Sequence, residues 1–293
     1  MASIQLMTVV THAVRRSRNW LSRALKLLTS NSVQAHWVGG RNWGDQLTPF
    51  LISQLAGRAT VPPVTRWLPA YTMVGSVLGS SSARAHVWGA GFISAGAKPD
   101  GRPKKIHAVR GPLSREIFLR QGMECPPVYG DPAILLSTIL PRENTKEYRF
   151  GIIPHYVDKG HPWISEQLAC FGAETKIIDI ESGISEVVDQ INQCEFIISS
   201  SLHGLICADT YSIPNTRISL STRILGGDFK FRDYRLGVGG IEYVNHWPVQ
   251  SGLDLPQLAA ASTLTDVTQP AKRLRSVFPI AFLAQGPVTF RRG

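Results

Sequence analysis

Short apolar runs that end in glycine or a polar turn alternate along this chain with longer stretches whose apolar residues recur at helical spacing. In the first half, "VQAHWVGG" (Val33 to Gly40) predicts a strand running into the turn-rich loop "GGRNWGD", and "DQLTPFLISQLAG" predicts a helix opened by Asp45 and closed by Gly57. "AHVWGAGF" and "KKIHAVRG" read as strands ending in glycine. "GPLSREIFLRQG" reads as a helix with Pro112 in its first turn and Gly122 at its end, and "PPVYGDPAILL" as a strand ending at Gly130 and Asp131.

After the charged, turn-rich stretch "PRENTKEY" (Pro141 to Tyr148), a second alternation begins. It runs "RFGIIPHY" strand, "HPWISEQLACFG" helix, "TKIIDI" strand, "GISEVVDQINQC" helix, "EFIISS" strand, "HGLICADTYS" helix and "NTRISLS" strand. Strand and helix in alternation predict an α/β fold of two doubly wound, Rossmann-like domains facing a cleft. Expected divisions are a leader helix over 1–30, an N-terminal domain over 31–145 and a C-terminal domain over 146–293. "AKRLRSVFPIAFLAQ" predicts a closing helix broken near Pro279.

Composition adds little until charge is mapped. The chain has 293 residues, 43% of them hydrophobic, enough for two cores. Its four cysteines, Cys125, Cys170, Cys194 and Cys207, lack zinc-site spacing and read as reduced thiols. No apolar run approaches the roughly 18 residues of a spanning helix, and no secretory leader pattern is visible, so a cytoplasmic protein is expected. The formal charge of +10 is concentrated at the ends: Arg15, Arg16, Arg18, Arg23 and Lys26 at one, Lys272, Arg273, Arg275, Arg291 and Arg292 at the other. The stretch between is neutral and has no basic stripe with interleaved aromatics, so nucleic acid is not an expected partner. On a helical projection Val14, Trp20, Leu21, Ala24, Leu25, Leu27 and Leu28 oppose the leader's basic residues. Such a helix suits an anionic bilayer surface, or packs on the body.

Ligands of parallel sheets collect beyond the carboxyl ends of strands, and "SSSLHGL" occupies such an edge. Its serines, His203 and the glycine after it suit a phosphate or carboxylate, or cap the following helix. There is no phosphate-loop or dinucleotide glycine fingerprint and no metal-site spacing, so neither a metal nor a cofactor is expected.

Asn42-Trp43-Gly44-Asp45, Arg110-Gly111-Pro112, Gly130-Asp131-Pro132 and Ser199-Ser200-Ser201-Leu202-His203-Gly204-Leu205 follow one another in that order. Together they resemble the recurring pattern of the polysaccharide pyruvyltransferase family, over roughly residues 35–235. "IIPHY" and "FKFRDY" look like the members that place pyruvate ketals on exopolysaccharide repeat units. The resemblance implies an architecture similar to two-domain GT-B glycosyltransferases. It implies phosphoenolpyruvate as donor, a lipid-linked oligosaccharide as acceptor at the cytoplasmic face of the inner membrane, and release of phosphate.

On that resemblance His203 is the expected proton donor and Asp45 the base for the sugar hydroxyl, with helix capping as the other reading of Asp45. Arg110, Ser200, Ser201, Leu202 and Gly204 are expected at the donor. Many family members carry arginine where this chain has Ser201, so Lys230, with Arg232 in reserve, is expected to supply that charge. Asn42, Trp43 and His155 are expected to contact acceptor or donor, and Trp88 reads as core. Asp131 reads as structural, since Gly-Asp-Pro makes a tight turn. The alternatives are a nucleotide-sugar glycosyltransferase of the same shape and a non-catalytic glycan- or anion-binding subunit.

Overall fold

The computed structural model describes residues 19–39, 43–65, 68–143 and 145–280, apart from the side chain of Asp45. Helix α1 (residues 19–29) leads into β1 (Ser32–His36), then α2 (Trp43–Ala56), β2 (Ala59–Val61), β3 (Ala70–Thr72), β4 (Ala85–Trp88), β5 (Lys105–Ala108) and α3 (Pro112–Arg120). The five strands form a parallel sheet in the order β2-β1-β3-β4-β5. Beyond the short α4 (Leu136–Ile139) lie β6 (Tyr148–Ile153), α5 (Pro162–Phe171), β7 (Thr175–Ile177), α6 (Ile184–Asn192), β8 (Cys194–Ser199), α7 (Leu202–Thr210) and β9 (Asn215–Arg217). These strands make a second parallel sheet, β7-β6-β8-β9. The chain closes with α8 (Phe229–Gly237), α9 (Pro248–Ser251), α10 (Leu255–Ala260) and α11 (Thr268–Ser276).

Register brings three strand ends of the second sheet level, since Ile153 pairs with Ser199 and Ser199 with Arg217. The loops after β6 and β8 therefore leave the sheet side by side. One apolar cluster runs across both halves, from Val33, Leu47 and Trp88 of the first to Ile153, Val187, Ile197 and Leu205 of the second. Trp43 crosses the join: its N–H donates to the Ile180 carbonyl at 2.9 Å and its indole Nε1 to the Ile184 carbonyl at 3.3 Å.

Three expectations change. Tyr129 makes only an isolated bridge to Val109, so "PPVYGD" is no strand; Pro126 and Pro127 have no N–H to donate to a ladder. The helix expected to open at Asp45 starts at Trp43, because Ile180 accepts the Trp43 N–H from outside the helix. Strands β2 and β3 were not foreseen, being three residues each without an apolar run. The closing helix stops at Ser276, ahead of Pro279 as its sequence suggests. Residues 1–18 of the expected leader and 281–293 of the tail lie outside the described residues. In α1, Trp20, Leu21, Leu25 and Leu28 are 50, 59, 62 and 82% exposed, while Ala24 and Leu27 are half-buried and the Trp20 indole donates to the Val64 carbonyl at 2.8 Å, so its apolar side is only partly covered. No helix among the described residues is long and apolar enough to cross a membrane.

Candidate active site

A cavity of about 210 Å3 opens where the carboxyl ends of the two sheets meet. The first sheet contributes Val38 after β1, the loop Gly75-Ser76-Val77 after β3 and Ile93 after β4; the second contributes His155, Tyr156, Ser201, Leu202 and His203. Arg223, Leu225 and Lys230 complete the wall, which among the described residues contains no carboxylate.

The three serines do not cap α7. Ser199 Oγ accepts the Ser201 N–H at 3.0 Å and lies 2.9 Å from the Ile153 carbonyl, to which it donates. Ser200 Oγ accepts the His155 N–H at 2.8 Å. Ser201 is the N-cap residue and makes no side-chain cap bond. The serines thus tie the loop to β6, and the first-turn N–H groups of α7 remain available to an anion, with the positive end of the helix dipole behind them. Gly204 belongs to the same packing and not to the cavity wall. A Cβ there would lie 2.6 Å from Ser199 Oγ and 3.1 Å from Ile153, so glycine lets α7 sit on the sheet.

His203 stands at the meeting point of two of the motifs. A Cβ on Gly44 would lie 2.1 Å from its Nδ1, so the glycine of "NWGD" makes room for the imidazole of "SLHGL". Its Nε2 faces Asp131 Oδ2 at 3.6 Å, with the carboxylate fully buried. Asp131 also caps the turn Pro132–Leu135, Oδ1 accepting the Ala133 N–H at 3.0 Å. His155, from the loop after β6, accepts the Val157 N–H at Nδ1 and stacks on Tyr156 at 4.3 Å. Burial, then the Lys230 charge, pushes the His155 imidazole down to about 4, so at neutral pH it is an uncharged wall.

Lys230, near the start of α8, is 9% exposed and makes no hydrogen bond or ion pair among the described residues. Burial, then the nearby Arg110 and Arg217 charges, holds its ammonium down to about 8. It is nonetheless largely charged at neutral pH, with the Phe231 ring 5.5 Å away but no carboxylate bonded to it among the described residues. Arg223, at the rim, donates to Asp158 at 3.1 Å.

Arg110 is set behind the cavity, contrary to its expected place at the donor. Its fully buried guanidinium donates to Asp233 at 3.1 Å, to Ser76 Oγ at 2.8 Å and to the Phe92 carbonyl at 2.7 Å. Asp233 also accepts from Ser114 N–H and Oγ, at 2.9 and 2.6 Å. A Cβ on Gly111 would overlap the Asp233 carbonyl, and one on Gly237 the Arg110 carbonyl. "RGP" and "FKFRDY" are therefore two sides of one joint that fixes α8, and with it Lys230, while Ser76 passes the contact to the cavity wall. Arg232 points elsewhere: it pairs with Glu242 at 2.8 Å on the exposed side of α8. Trp43 and Trp88 are fully buried, so neither offers a face to a sugar. Asn42 and the side chain of Asp45 lie outside the described structure; Asp45 is the third residue of α2, next to Gly44.

The structure thus gathers Ser201, Leu202, His203, His155 and Lys230 around one cavity and removes Ser200, Gly204, Arg110, Arg232 and Trp43 from its wall. Tyr156 and Asp233 were within reach of the sequence, inside "IIPHY" and "FKFRDY". Ser76 and Arg223 had no signal. Among the described residues no three His, Cys, Asp or Glu side chains gather as metal ligands would.

The family model described as polysaccharide pyruvyl transferase matches residues 86–222, a span that includes "RGP", "GDP" and "SSSLHGL". An uncharacterized protein of Acanthamoeba polyphaga mimivirus is 33% identical over 219 residues, covering 71% of this chain and 74% of that protein. The chain belongs to the polysaccharide pyruvyl transferase family. A second relative is the succinoglycan biosynthesis protein ExoV of Rhizobium meliloti (strain 1021), 28% identical over 204 residues. That match covers 68% of this chain and 62% of ExoV. No solved structure matches. For a polysaccharide pyruvyl transferase, "NWGD" and Lys230 fall outside the span of the family model, though Gly44 touches His203 within it.

Proposed function

We propose that the cavity binds phosphoenolpyruvate and that the protein transfers its pyruvyl group, as a cyclic ketal, to a sugar of an exopolysaccharide repeat unit. The observation that carries this reading is a cavity in which the buried Lys230 meets the uncapped start of α7 and His203, with no carboxylate in its wall among the described residues. Phosphoenolpyruvate presents a phosphate and a carboxylate, and both anions need such donors. No resident cofactor or metal enters the reading. In this reading the two parallel sheets are the Rossmann-like units of a GT-B-like pair, with 31–145 on the acceptor side and 146–293 on the donor side.

In the reaction, protonated His203 gives a proton to the methylene carbon of the donor, and the central carbon becomes electrophilic. A sugar hydroxyl attacks it and loses its proton to Asp45. The carbon–oxygen bond to phosphate then breaks, phosphate leaves with the bonding pair, and a second hydroxyl of the same sugar closes the ketal, its proton passing to the departing phosphate. Lys230 and the α7 N–H groups hold the anion throughout. Arg110 acts through the joint with Asp233 instead of touching the donor. Tyr156, 45% exposed on the rim and backed by His155, takes the role of sugar platform that the buried tryptophans do not fill.

The acceptor in this reading is a lipid-linked oligosaccharide, as its family resemblance implies, reached at the cytoplasmic face of the inner membrane. The exposed Leu21, Leu25 and Leu28 of α1, with Arg23 and Lys26 and the basic residues before them in the sequence, support contact with anionic lipid. Phosphate release from phosphoenolpyruvate is expected only when the glycan acceptor is present, and His203→Ala should abolish it. Release of a nucleoside diphosphate from a nucleotide sugar would overturn the proposal in favour of glycosyl transfer; acceptor binding without any turnover would overturn it in favour of a binding subunit.

A further inference from the structure

We infer that Asp131 is a positioning residue for His203: its carboxylate keeps a proton on Nε2 and leaves Nδ1 as the nitrogen that delivers the transferred proton. Asp131 Oδ2 and His203 Nε2 are both buried, and among the described residues neither has a hydrogen-bond partner. They face one another at 3.6 Å. With a bare Nε2, two lone pairs would oppose each other away from water, leaving both groups unsatisfied. With a proton on Nε2, each orphan satisfies the other, and a shift of a few tenths of an ångström closes the bond.

Both partners are held where they are. Asp131 Oδ1 is committed to the Ala133 N–H, so Oδ2 is the oxygen turned to the histidine. The bare Gly89 accepts Pro132, whose ring would lie 2.4 Å from a Cβ there. Gly44 borders the imidazole on its Nδ1 side. Among the described residues, the other titratable groups around His203 are His155 from the loop after β6, Lys230 from α8 and Arg223 at the rim. Asp131 is the carboxylate that faces Nε2.

The neutral imidazole then carries its proton on Nε2, and the imidazolium adds its second proton at Nδ1. On transfer, the Nδ1–H bond breaks, a carbon–hydrogen bond forms at the donor methylene, and the Nδ1 lone pair returns while Nε2–H stays on Asp131. The choice of methylene carbon as proton acceptor rests on the pyruvyl-transfer reading; the tautomer does not.

Nitrogen-15 NMR on the full chain with labelled histidine tests this, with the His203 signal assigned by its loss in His203→Gln. Above the titration of the ring, the native protein is expected in the Nε2–H form. In Asp131→Asn the amide oxygen keeps the Ala133 bond and the amide nitrogen donates to Nε2, so the ring is expected to flip to the Nδ1–H form. Turnover should fall on the order of a hundredfold with the KM for phosphoenolpyruvate unchanged. A native Nδ1–H ring would overturn the inference without any variant, as would a variant with native tautomer or native kcat. If the native protein shows no pyruvyl transfer while the tautomers behave as stated, the functional reading fails and the Asp131 contact stands.

Discussion

The two ends of α8 each bury a cation, and they treat it in opposite ways. At the far end Arg235 donates to Asp209 at 3.2 Å, to Thr263 Oγ1 at 3.0 Å, to the Ile241 carbonyl at 2.9 Å and to Thr265 Oγ1. Its plane also lies over the Tyr243 ring at 4.1 Å, and Asp209 in turn accepts from Asn215, Tyr234 and Tyr243. At the near end Lys230 is nearly as buried and faces a cavity. A charge buried for the sake of the fold arrives with its partners, because unpaired it would cost several kcal/mol. One kept without them is, in the proposed reading, free to meet the incoming anion.

The largest expected effect breaks the paired end. Arg235→Met leaves Asp209 buried without its cation and should cost about 3–5 kcal/mol in urea unfolding. A cost under about 1 kcal/mol would erase the contrast. At the open end, Gly44→Ala pushes a methyl group into His203; turnover should drop on the order of a hundredfold, while stability falls by only about 1–3 kcal/mol.

Lys230→Met should move stability and binding in opposite directions. Relief of an uncompensated charge raises stability at neutral pH by about 2 kcal/mol, seen as a higher melting temperature, while affinity for inorganic phosphate or phosphoenolpyruvate drops about tenfold. Because burial lowers the folded ammonium to about 8, its cost is present below that pH. As pH rises from about 8 to the ordinary lysine value of 10.5, the stability gap between native and variant should close. Native phosphate binding should weaken as pH rises through about 8, with a flatter profile in the variant. Smallest of all, Arg232→Ala removes an exposed pair with Glu242 and should leave both the melting temperature and the donor KM unchanged. A raised donor KM would return Arg232 to the site.

Most strands and helices were legible because their apolar periodicity is strong and their glycines sit at real ends: Gly57 and Gly122 both have positive φ after α2 and α3. The site was legible as a set of motifs but not as contacts. Order along the chain could not tell that Gly44 abuts His203, or that "RGP" clamps "FKFRDY", because those neighbours are brought together by the packing of two sheets. Arg110 illustrates the limit. Its side chain type fits an anion, and only Asp233, 123 residues away, reveals that the anion is internal. The pairing of Asp131 with His203 was hidden for a similar reason: a turn-capping aspartate has a second oxygen, and sequence does not say where it faces.

The apolar cluster that runs across both sheets has a consequence for cooperativity. Trp43 is anchored to Ile180 and Ile184, and Val33, Leu47 and Trp88 share one interior with Ile153, Val187 and Leu205. Neither half can lose its packing while the other keeps an intact surface there. Heat or denaturant should therefore take the chain through one transition, in which the cavity and the scaffold on both sides of it disappear together.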